Sequence, residues 1–125
     1  MRRAGCSAGA RRGTRVYDIL AGIFSQEDVK TCFALLGDAN MNWAAALSEQ
    51  GCRLVHVRHE YCALAAGMAY ARKNGDVGVA SVTCGPGVTQ PITALPAAVR
   101  AHLPLVVFAG ERHGESRKQA ERGAV

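Results

Sequence analysis

The apolar positions of this sequence follow two different periodicities. From Val16 to Phe24 they recur at intervals of three and four residues, which predicts an amphipathic helix. From Val29 to Leu36 the side chains alternate instead, which predicts a short strand. The same reasoning predicts further helices over 41–50, 60–72 and 88–101, and further strands over 54–57, 77–82 and 105–109. Four strands that alternate with helices indicate an α/β fold, with a parallel sheet and helices on both faces.

Glycine and proline positions refine these boundaries. Gly51 and Gly75 follow the second and third predicted helices, where glycine commonly ends a helix. The strand over 77–82 is a continuous apolar run, which is typical of a strand buried on both faces. Pro91 falls in the first turn of the last helix, where proline is tolerated, but Pro96 falls inside it. An interior proline costs about 3 kcal/mol, so we expect this helix to be bent or shortened.

Composition and charge allow one domain and exclude several classes of protein. The 125 residues carry a net charge of +5, but the basic residues are concentrated in the first fifteen residues and near the end. Such ends are more often solvated tails than a binding surface. With no zinc-finger spacing and no interleaving of basic and aromatic residues, we predict no nucleic-acid partner. No apolar run approaches the roughly 20 residues that span a bilayer, so we predict no membrane partner.

Cysteine usage indicates the compartment. The five cysteines are widely spread, and no Cys-x-x-Cys pair occurs. The absence of a secretory apolar segment fits free thiols in a reducing compartment, and we predict a cytoplasmic location. Most of these thiols are expected to be small core residues.

The two ends of the chain differ from its middle. Residues 1–14 are rich in Arg, Gly and Ala and lack acids. This segment has three interpretations: a transit-like leader, an upstream translated extension, or a disordered basic tail, of which we favour disorder. After Gly110 the chain is polar and no further strand is predicted. We therefore assign residues 15–125 to one domain whose carboxyl-terminal part is incomplete.

Glu60 stands where a predicted strand gives way to a predicted helix. Open α/β sheets place their ligand contacts at such junctions, and a helix N-terminus stabilises a carboxylate. The alternative is that Glu60 is a first-turn acid that complements the helix dipole and has no other role. The Gly85-Pro86-Gly87 turn opens another predicted helix after a strand. It lacks the third glycine of a dinucleotide fingerprint, so we do not interpret it as one.

The polar residues near these turns give no metal site. The four histidines have no metal-ligand spacing, and we predict no metal ligand in this chain. His59 is expected to be a partly buried histidine with its hydrogen bonds satisfied, although a place beside a ligand is possible. No base is placed for Cys84, so a packed thiol is favoured over a nucleophile. Asp38 is interpreted as a helix cap or a turn residue.

Several of these motifs occur together in one family. The segment from Leu36 to Gly110 contains Gly-x-Ala-Asn, Val-Arg-His-Glu, Tyr-Ala-Arg, Thr-x-Gly-Pro-Gly-x-Thr and Pro-Leu-Val-Val. In order and spacing this segment resembles the amino-terminal, pyrimidine-binding domain of thiamine diphosphate-dependent enzymes, in particular the acetolactate synthase-like branch. The resemblance implies the thiamine diphosphate-binding fold. That domain has six strands, so the four strands predicted here imply that it is truncated.

The resemblance also implies a site. In this family a glutamate bonds the pyrimidine ring nitrogen of the cofactor and activates its aminopyrimidine, and Glu60 matches that glutamate. Pro86, Gly87 and Gln90 match the loop beside the pyrimidine and are expected to bind the cofactor with Glu60. Mg²⁺ and the diphosphate are held by a separate domain that this chain lacks, and the full enzyme of some members also binds FAD. Asp38 is not a magnesium ligand by this comparison, because the asparagines that should follow it are absent.

The functional prediction is a thiamine diphosphate-binding domain of an acetolactate synthase-like enzyme that acts on 2-oxo acids by carboligation or decarboxylation. The implied partner is a diphosphate-binding domain of the same or another subunit, in a homodimer or tetramer. We predict that the isolated chain is inactive. Two alternatives remain: a truncated non-catalytic module that pairs with a full-length or split partner subunit, and a non-functional remnant.

Overall fold

The computed structural model describes residues 15–111, so the predictions for residues 1–14 and 112–125 lie outside the described residues. Helices and strands alternate through this range. The helices are α1 (Val16–Gln26), α2 (Met41–Glu49), α3 (Glu60–Asn74), α4 (Pro86–Thr89) and α5 (Leu95–Arg100), with a 3-10 segment (Gln90–Ala94) between the last two. The strands are β1 (Thr31–Ala34), β2 (Arg53–His56), β3 (Gly78–Val82) and β4 (Leu105–Ala109).

The four strands form one sheet in the order β2-β1-β3-β4, and every neighbouring pair is parallel. Ala34 is in register with His56 on one side and with Ser81 on the other. The carboxyl ends of β1, β2 and β3 therefore lie along the same border of the sheet, which we call its carboxyl edge. The predicted parallel sheet is confirmed, and this edge is where open α/β sheets bind ligands.

Two apolar clusters cover the two faces of the sheet. On one face α1 and α2 pack over Cys32, Ala34 and Val79. On that face Phe108 stacks on Trp43, with ring centroids 3.8 Å apart. On the other face α3 and the 3-10 segment pack against β3. Their buried residues form a second cluster: Ala63, Leu64, Ala80, Val82 and Ala94. The prediction of helices on both faces is confirmed.

Several element predictions are confirmed in detail. All five residues of β3 are buried, as its continuous apolar run indicates. Trp43, Ala44 and Leu47 are buried on the inner face of α2. Gly75 caps α3 with a φ of 74°, and Gly51 follows α2 with a φ of 96°. Both glycines adopt the left-handed backbone conformation that other residues rarely adopt.

The helix predicted over 88–101 is broken into three pieces. It begins earlier, at Pro86, and continues as a 3-10 segment that contains Pro91 before α5 begins. Pro96 lies in the first turn of α5. A proline has no N–H to donate to the preceding turn, so each one coincides with a change in the helix. The expected bending or shortening is confirmed.

One boundary prediction is wrong, and one helix exposes more of its apolar residues than its spacing indicates. β1 covers Thr31–Ala34 and is shorter than the predicted strand over 29–36; just beyond its end, the Asn40 amide donates a hydrogen bond to the Leu35 carbonyl oxygen at 3.1 Å. In α1 the exposed face carries Val16, Ile19 and Ile23, with Val16 72% exposed. Helical spacing therefore predicts the helix correctly but overstates how much of its apolar face is buried.

The cysteines divide by environment. Cys32 and Cys52 are buried, Cys84 is half-buried and Cys62 is exposed, while Cys6 lies outside the described residues. The expectation of core thiols therefore fails for Cys62. Burial, with a smaller contribution from the neighbouring Cys52, raises the pKa of the Cys32 thiol to about 12.

This raised pKa predicts a loss of stability at alkaline pH. An unfolded cysteine ionises near pH 8.5, whereas folded Cys32 stays protonated until the pH approaches 12. The contribution of the protonated Cys32 thiol to the free energy of unfolding is therefore complete below about pH 8.5 and is lost as the pH rises towards 12. Between about pH 8 and pH 10 the free energy of unfolding should fall by on the order of 2 kcal/mol more in the native chain than in Cys32→Ala. Urea unfolding followed by tryptophan fluorescence measures this difference. Cys62→Ala is the matched control and should behave like the native chain, whereas an equal loss in Cys32→Ala would contradict the assignment.

Candidate functional site

Glu60 is the first residue of α3 and lies at the carboxyl edge of the sheet. Its side chain is half-buried. The preceding residue, His59, has an extended backbone with a φ of −155° and caps the helix: the Tyr61 N–H donates to His59 Nδ1 at 3.1 Å. The helix therefore starts at Glu60, because His59 satisfies one of the free N–H groups of the first turn. This start holds the carboxylate at the strand-to-helix junction.

His59 itself differs from the prediction. It is exposed and not partly buried, because its ring lies over the end of the helix it caps. Histidine is not a preferred capping residue, so sequence reasoning gave no signal for this role.

The loop after β3 approaches Glu60 from the side. Gly85 has a φ of 61°, which turns the chain into α4 at Pro86. Gly87 is buried, and a methyl group added at its Cα would lie 3.6 Å from Glu60 Oε1. The Gly87 backbone therefore packs close to the Glu60 carboxylate.

A network of hydrogen bonds fixes the turn after β1. The Asn40 side chain is 1% exposed. Its amide donates to Ser81 Oγ at 2.9 Å, and its carbonyl oxygen accepts from the Gly37 N–H at 2.8 Å. These bonds join the turn to β3. Asn40 belongs to the Gly-x-Ala-Asn motif, which by itself assigns it no role; a polar residue directly before an apolar helix is the available signal.

Asp38 lies in this turn and does not cap α2, whose capping position is Asn40. Of the two interpretations of Asp38, the turn residue is therefore correct. Between residues 15 and 111 no group of three His, Cys, Asp or Glu side chains is arranged to hold a metal ion. Over the same range, no helix is both long enough and apolar enough to cross a bilayer.

The remaining predicted site residues have different surroundings. Pro86 is exposed in the first turn of α4, and Gln90 is exposed at the start of the 3-10 segment. Gly87 is the predicted loop residue that the structure brings beside Glu60. The cofactor roles of Glu60, Pro86, Gly87 and Gln90 stay predictions.

A cavity of about 240 Å³ lies elsewhere, lined by Ile23, Phe24, Glu27, Val29, Val77 and Val106. These residues lie in and just after α1, just before β1 and β3, and in β4, away from Glu60. The walls of the cavity are mainly aliphatic. We place the candidate site at Glu60 and not in this cavity, because only the former combines a carboxylate with the carboxyl edge of the sheet.

The arrangement at Glu60 fits one part of a thiamine diphosphate site. A half-buried carboxylate beside a glycine can accept a hydrogen bond from a flat heterocycle that carries a ring N–H. The diphosphate would need a cation or a set of positive groups, and no metal-binding cluster is present within residues 15–111. Among the described residues, the Glu60 carboxylate is the feature that suits the pyrimidine end of the cofactor.

Comparisons with known proteins add an independent line of evidence. The family described as "Thiamine pyrophosphate enzyme, N-terminal TPP binding domain" matches residues 14–124. The chain is 38% identical over 97 residues to 2-hydroxyacyl-CoA lyase 2 of Xenopus laevis, an alignment that covers 78% of this chain and 15% of that protein. It is 36% identical over 95 residues to the chloroplastic acetolactate synthase of Arabidopsis thaliana, covering 75% of this chain and 14% of that protein.

The fold also has a counterpart among solved structures. It matches the thiamine diphosphate-dependent 4-hydroxybenzoylformate decarboxylase of Rhodococcus jostii RHA1 with a TM-score of 0.75. The match covers 84% of this chain and 20% of that one at 22% sequence identity, and so bears on the fold alone. The chain thus spans about 15% of the length of the curated relatives it matches.

Proposed function

Because the chain belongs to the family of thiamine pyrophosphate enzymes, as their N-terminal TPP-binding domain, we propose that residues 15–111 hold the aminopyrimidine end of thiamine diphosphate with Glu60 as the acid–base group. One observation carries the proposal. Glu60 opens a helix at the carboxyl edge of the sheet, and its half-buried carboxylate lies close to the backbone of Gly87 in the loop after β3.

The chain's own residues would act by binding and by proton transfer. Thiamine diphosphate, when bound, supplies the nucleophilic carbon that attacks a carbonyl. The Glu60 carboxylate would accept a hydrogen bond from the pyrimidine ring nitrogen and exchange a proton with it. The wall around the ring would include Pro86, Gly87 and Gln90. A carboxylate is required because a single acceptor must take up and return one proton.

The complete enzyme would form or break a carbon–carbon bond next to a carbonyl group. Relatives named acetolactate synthase and 2-hydroxyacyl-CoA lyase support the proposal of a 2-oxo acid or a 2-hydroxyacyl-CoA as substrate. Mg²⁺ and the diphosphate would be held by a diphosphate-binding domain of the same or another subunit, in a homodimer or tetramer. FAD binding and a cytoplasmic location are further proposals for the complete enzyme.

A chimeric enzyme tests this proposal. Residues 15–111 would replace the matching segment of the Xenopus laevis 2-hydroxyacyl-CoA lyase 2, and turnover of a 2-hydroxyacyl-CoA would be measured with and without thiamine diphosphate. We expect turnover that depends on the added cofactor. A chimera that folds but neither binds thiamine diphosphate nor turns over substrate would contradict the proposal.

The isolated chain should be inactive, since the diphosphate anchor would come from another domain. The purified chain, supplied with thiamine diphosphate, Mg²⁺ and pyruvate, should show no turnover, and detectable turnover would refute this expectation. Saturable cofactor binding that appears when a second subunit is added would favour a split enzyme.

The second candidate function is an interaction module. β4 is an edge strand of the described sheet, and its Val106 and Val107 are 41% and 36% exposed. Exposed apolar residues on an edge strand favour pairing with another chain. Partner binding that is unchanged by Glu60→Gln, with no cofactor in the complex, would favour this function over the catalytic one.

A further inference from the structure

We propose that Thr83 is a positioning residue: its side chain is wedged between Gly37 and Gly87 and sets how closely the loop over 84–87 approaches the Glu60 carboxylate. Thr83 directly follows β3 and is half-buried. It belongs neither to the predicted cofactor wall nor to the acid–base pair. A role for Thr83 in catalysis rests on the function proposed for Glu60. Its effect on the position of the loop over 84–87 does not depend on that function.

The first contact is with Gly87. A methyl group added at the Gly87 Cα would lie 2.8 Å from Thr83 Cγ2. Carbon atoms do not approach this closely in proteins, so the Thr83 methyl group fills the space that a side chain at position 87 would need and packs against the Gly87 backbone. The same added methyl would lie 3.6 Å from Glu60 Oε1, an ordinary contact. At residue 87 the loop is therefore packed more tightly against Thr83 than against Glu60.

The second contact of the Thr83 side chain is with Gly37. A methyl group at the Gly37 Cα would lie 2.6 Å from Thr83 Oγ1 and 2.9 Å from Thr83 Cβ. Gly37 does not yield easily, because its N–H donates to the buried side chain of Asn40, which in turn donates to Ser81 of β3. Thr83 therefore packs against the turn after β1, and hydrogen bonds join that turn to β3, the strand that Thr83 follows.

A β-branched side chain suits this role. Threonine has few allowed χ1 rotamers, so a threonine confined on two sides keeps its methyl group in one place. Gly37 and Gly87 lie after β1 and β3, the two neighbouring strands at the centre of the sheet. The carboxyl ends of such strands, where the chain order changes direction, form the crevice in which α/β sheets bind ligands. Thr83 would therefore fix the width of the crevice that Glu60 faces.

A double-mutant cycle in the full 125-residue chain tests this proposal. The quantity measured is the ¹³C chemical shift of the Glu60 side-chain carboxyl, with the exposed Glu49 as an internal control. Gly87→Ala should displace the loop and shift the Glu60 resonance. Adding Thr83→Ser removes the methyl group that the new alanine meets, and should return the resonance most of the way to its native position. Adding Thr83→Val keeps a methyl group there and should not.

The outcomes separate the proposal from a general packing effect. If Thr83→Ser and Thr83→Val restore the resonance equally, or if neither does, the proposal is wrong. Should Gly87→Ala fail to fold, the single variants decide: Thr83→Ser should shift the Glu60 resonance and Thr83→Val should not, and the reverse result overturns the proposal. None of these measurements needs the cofactor. They can therefore refute the role proposed for Thr83 without refuting the function proposed for Glu60, and the function of Glu60 can be refuted without changing their result.

Discussion

Gly78→Ala should destabilise the native fold by at least about 3 kcal/mol, because no space exists for the added methyl group. It would lie 2.2 Å from the Gly67 carbonyl oxygen and 2.8 Å from the Gly67 carbonyl carbon. Both are backbone atoms in the middle of α3, so relief of the clash would require the helix to move away from β3. Native proteins are stable by about 5–15 kcal/mol, so this single change removes a large share of the stability.

Gly67→Ala is the matched control for this prediction. Its added methyl would lie 2.9 Å from Leu105 Cδ1, the flexible end of a side chain, which can move aside. Alanine also favours a helix over glycine by about 1 kcal/mol, which offsets part of the strain. Urea unfolding of both variants, followed by the fluorescence of the single tryptophan, compares them directly. Equal losses in the two variants would contradict the close backbone contact between α3 and β3.

Glu60→Gln should lower kcat of the chimeric enzyme by roughly 100-fold or more, in line with the loss of a positioned acid–base group. Glutamine has nearly the same shape as glutamate but cannot exchange a proton with the pyrimidine nitrogen. Folding should be almost unaffected, because a first-turn acid contributes only about 0.3–1 kcal/mol through the helix dipole. The loss would therefore appear in turnover and not in stability.

Glu49→Gln is the control for this substitution, since Glu49 is an exposed acid at the end of α2. It removes the same charge and should leave kcat within about twofold, because surface charges far from a site have small effects. If Glu60→Gln also changes kcat only within this range, Glu60 is a helix-dipole acid. The interaction module would then be the better proposal.

The sequence predicts best where one local rule decides the structure. β3 is identified by its continuous apolar run and is buried throughout. Gly75 ends α3 because few residues other than glycine adopt its left-handed conformation. The break in the last predicted helix follows from prolines that cannot donate a hydrogen bond. In each case the cause lies within the residues concerned.

Prediction fails where the cause lies in another element. β1 ends at Ala34, and the Asn40 side chain that bonds the next residue, Leu35, also bonds Ser81, 41 residues further along the chain than Asn40. Glu60 is found from its junction position, but the Thr83 and Gly87 contact beside it depends on how close two loops come. Such distances are set by packing of the whole sheet and have no local signal.

The measurement that tests the central claim most directly is a crystal structure of the chimeric enzyme with thiamine diphosphate bound. The account predicts that a Glu60 carboxylate oxygen lies within hydrogen-bond distance of the pyrimidine ring nitrogen, at about 2.6–3.0 Å, with the ring next to Gly87. A bound cofactor whose pyrimidine ring lies away from Glu60, with another residue at its ring nitrogen, would contradict the account.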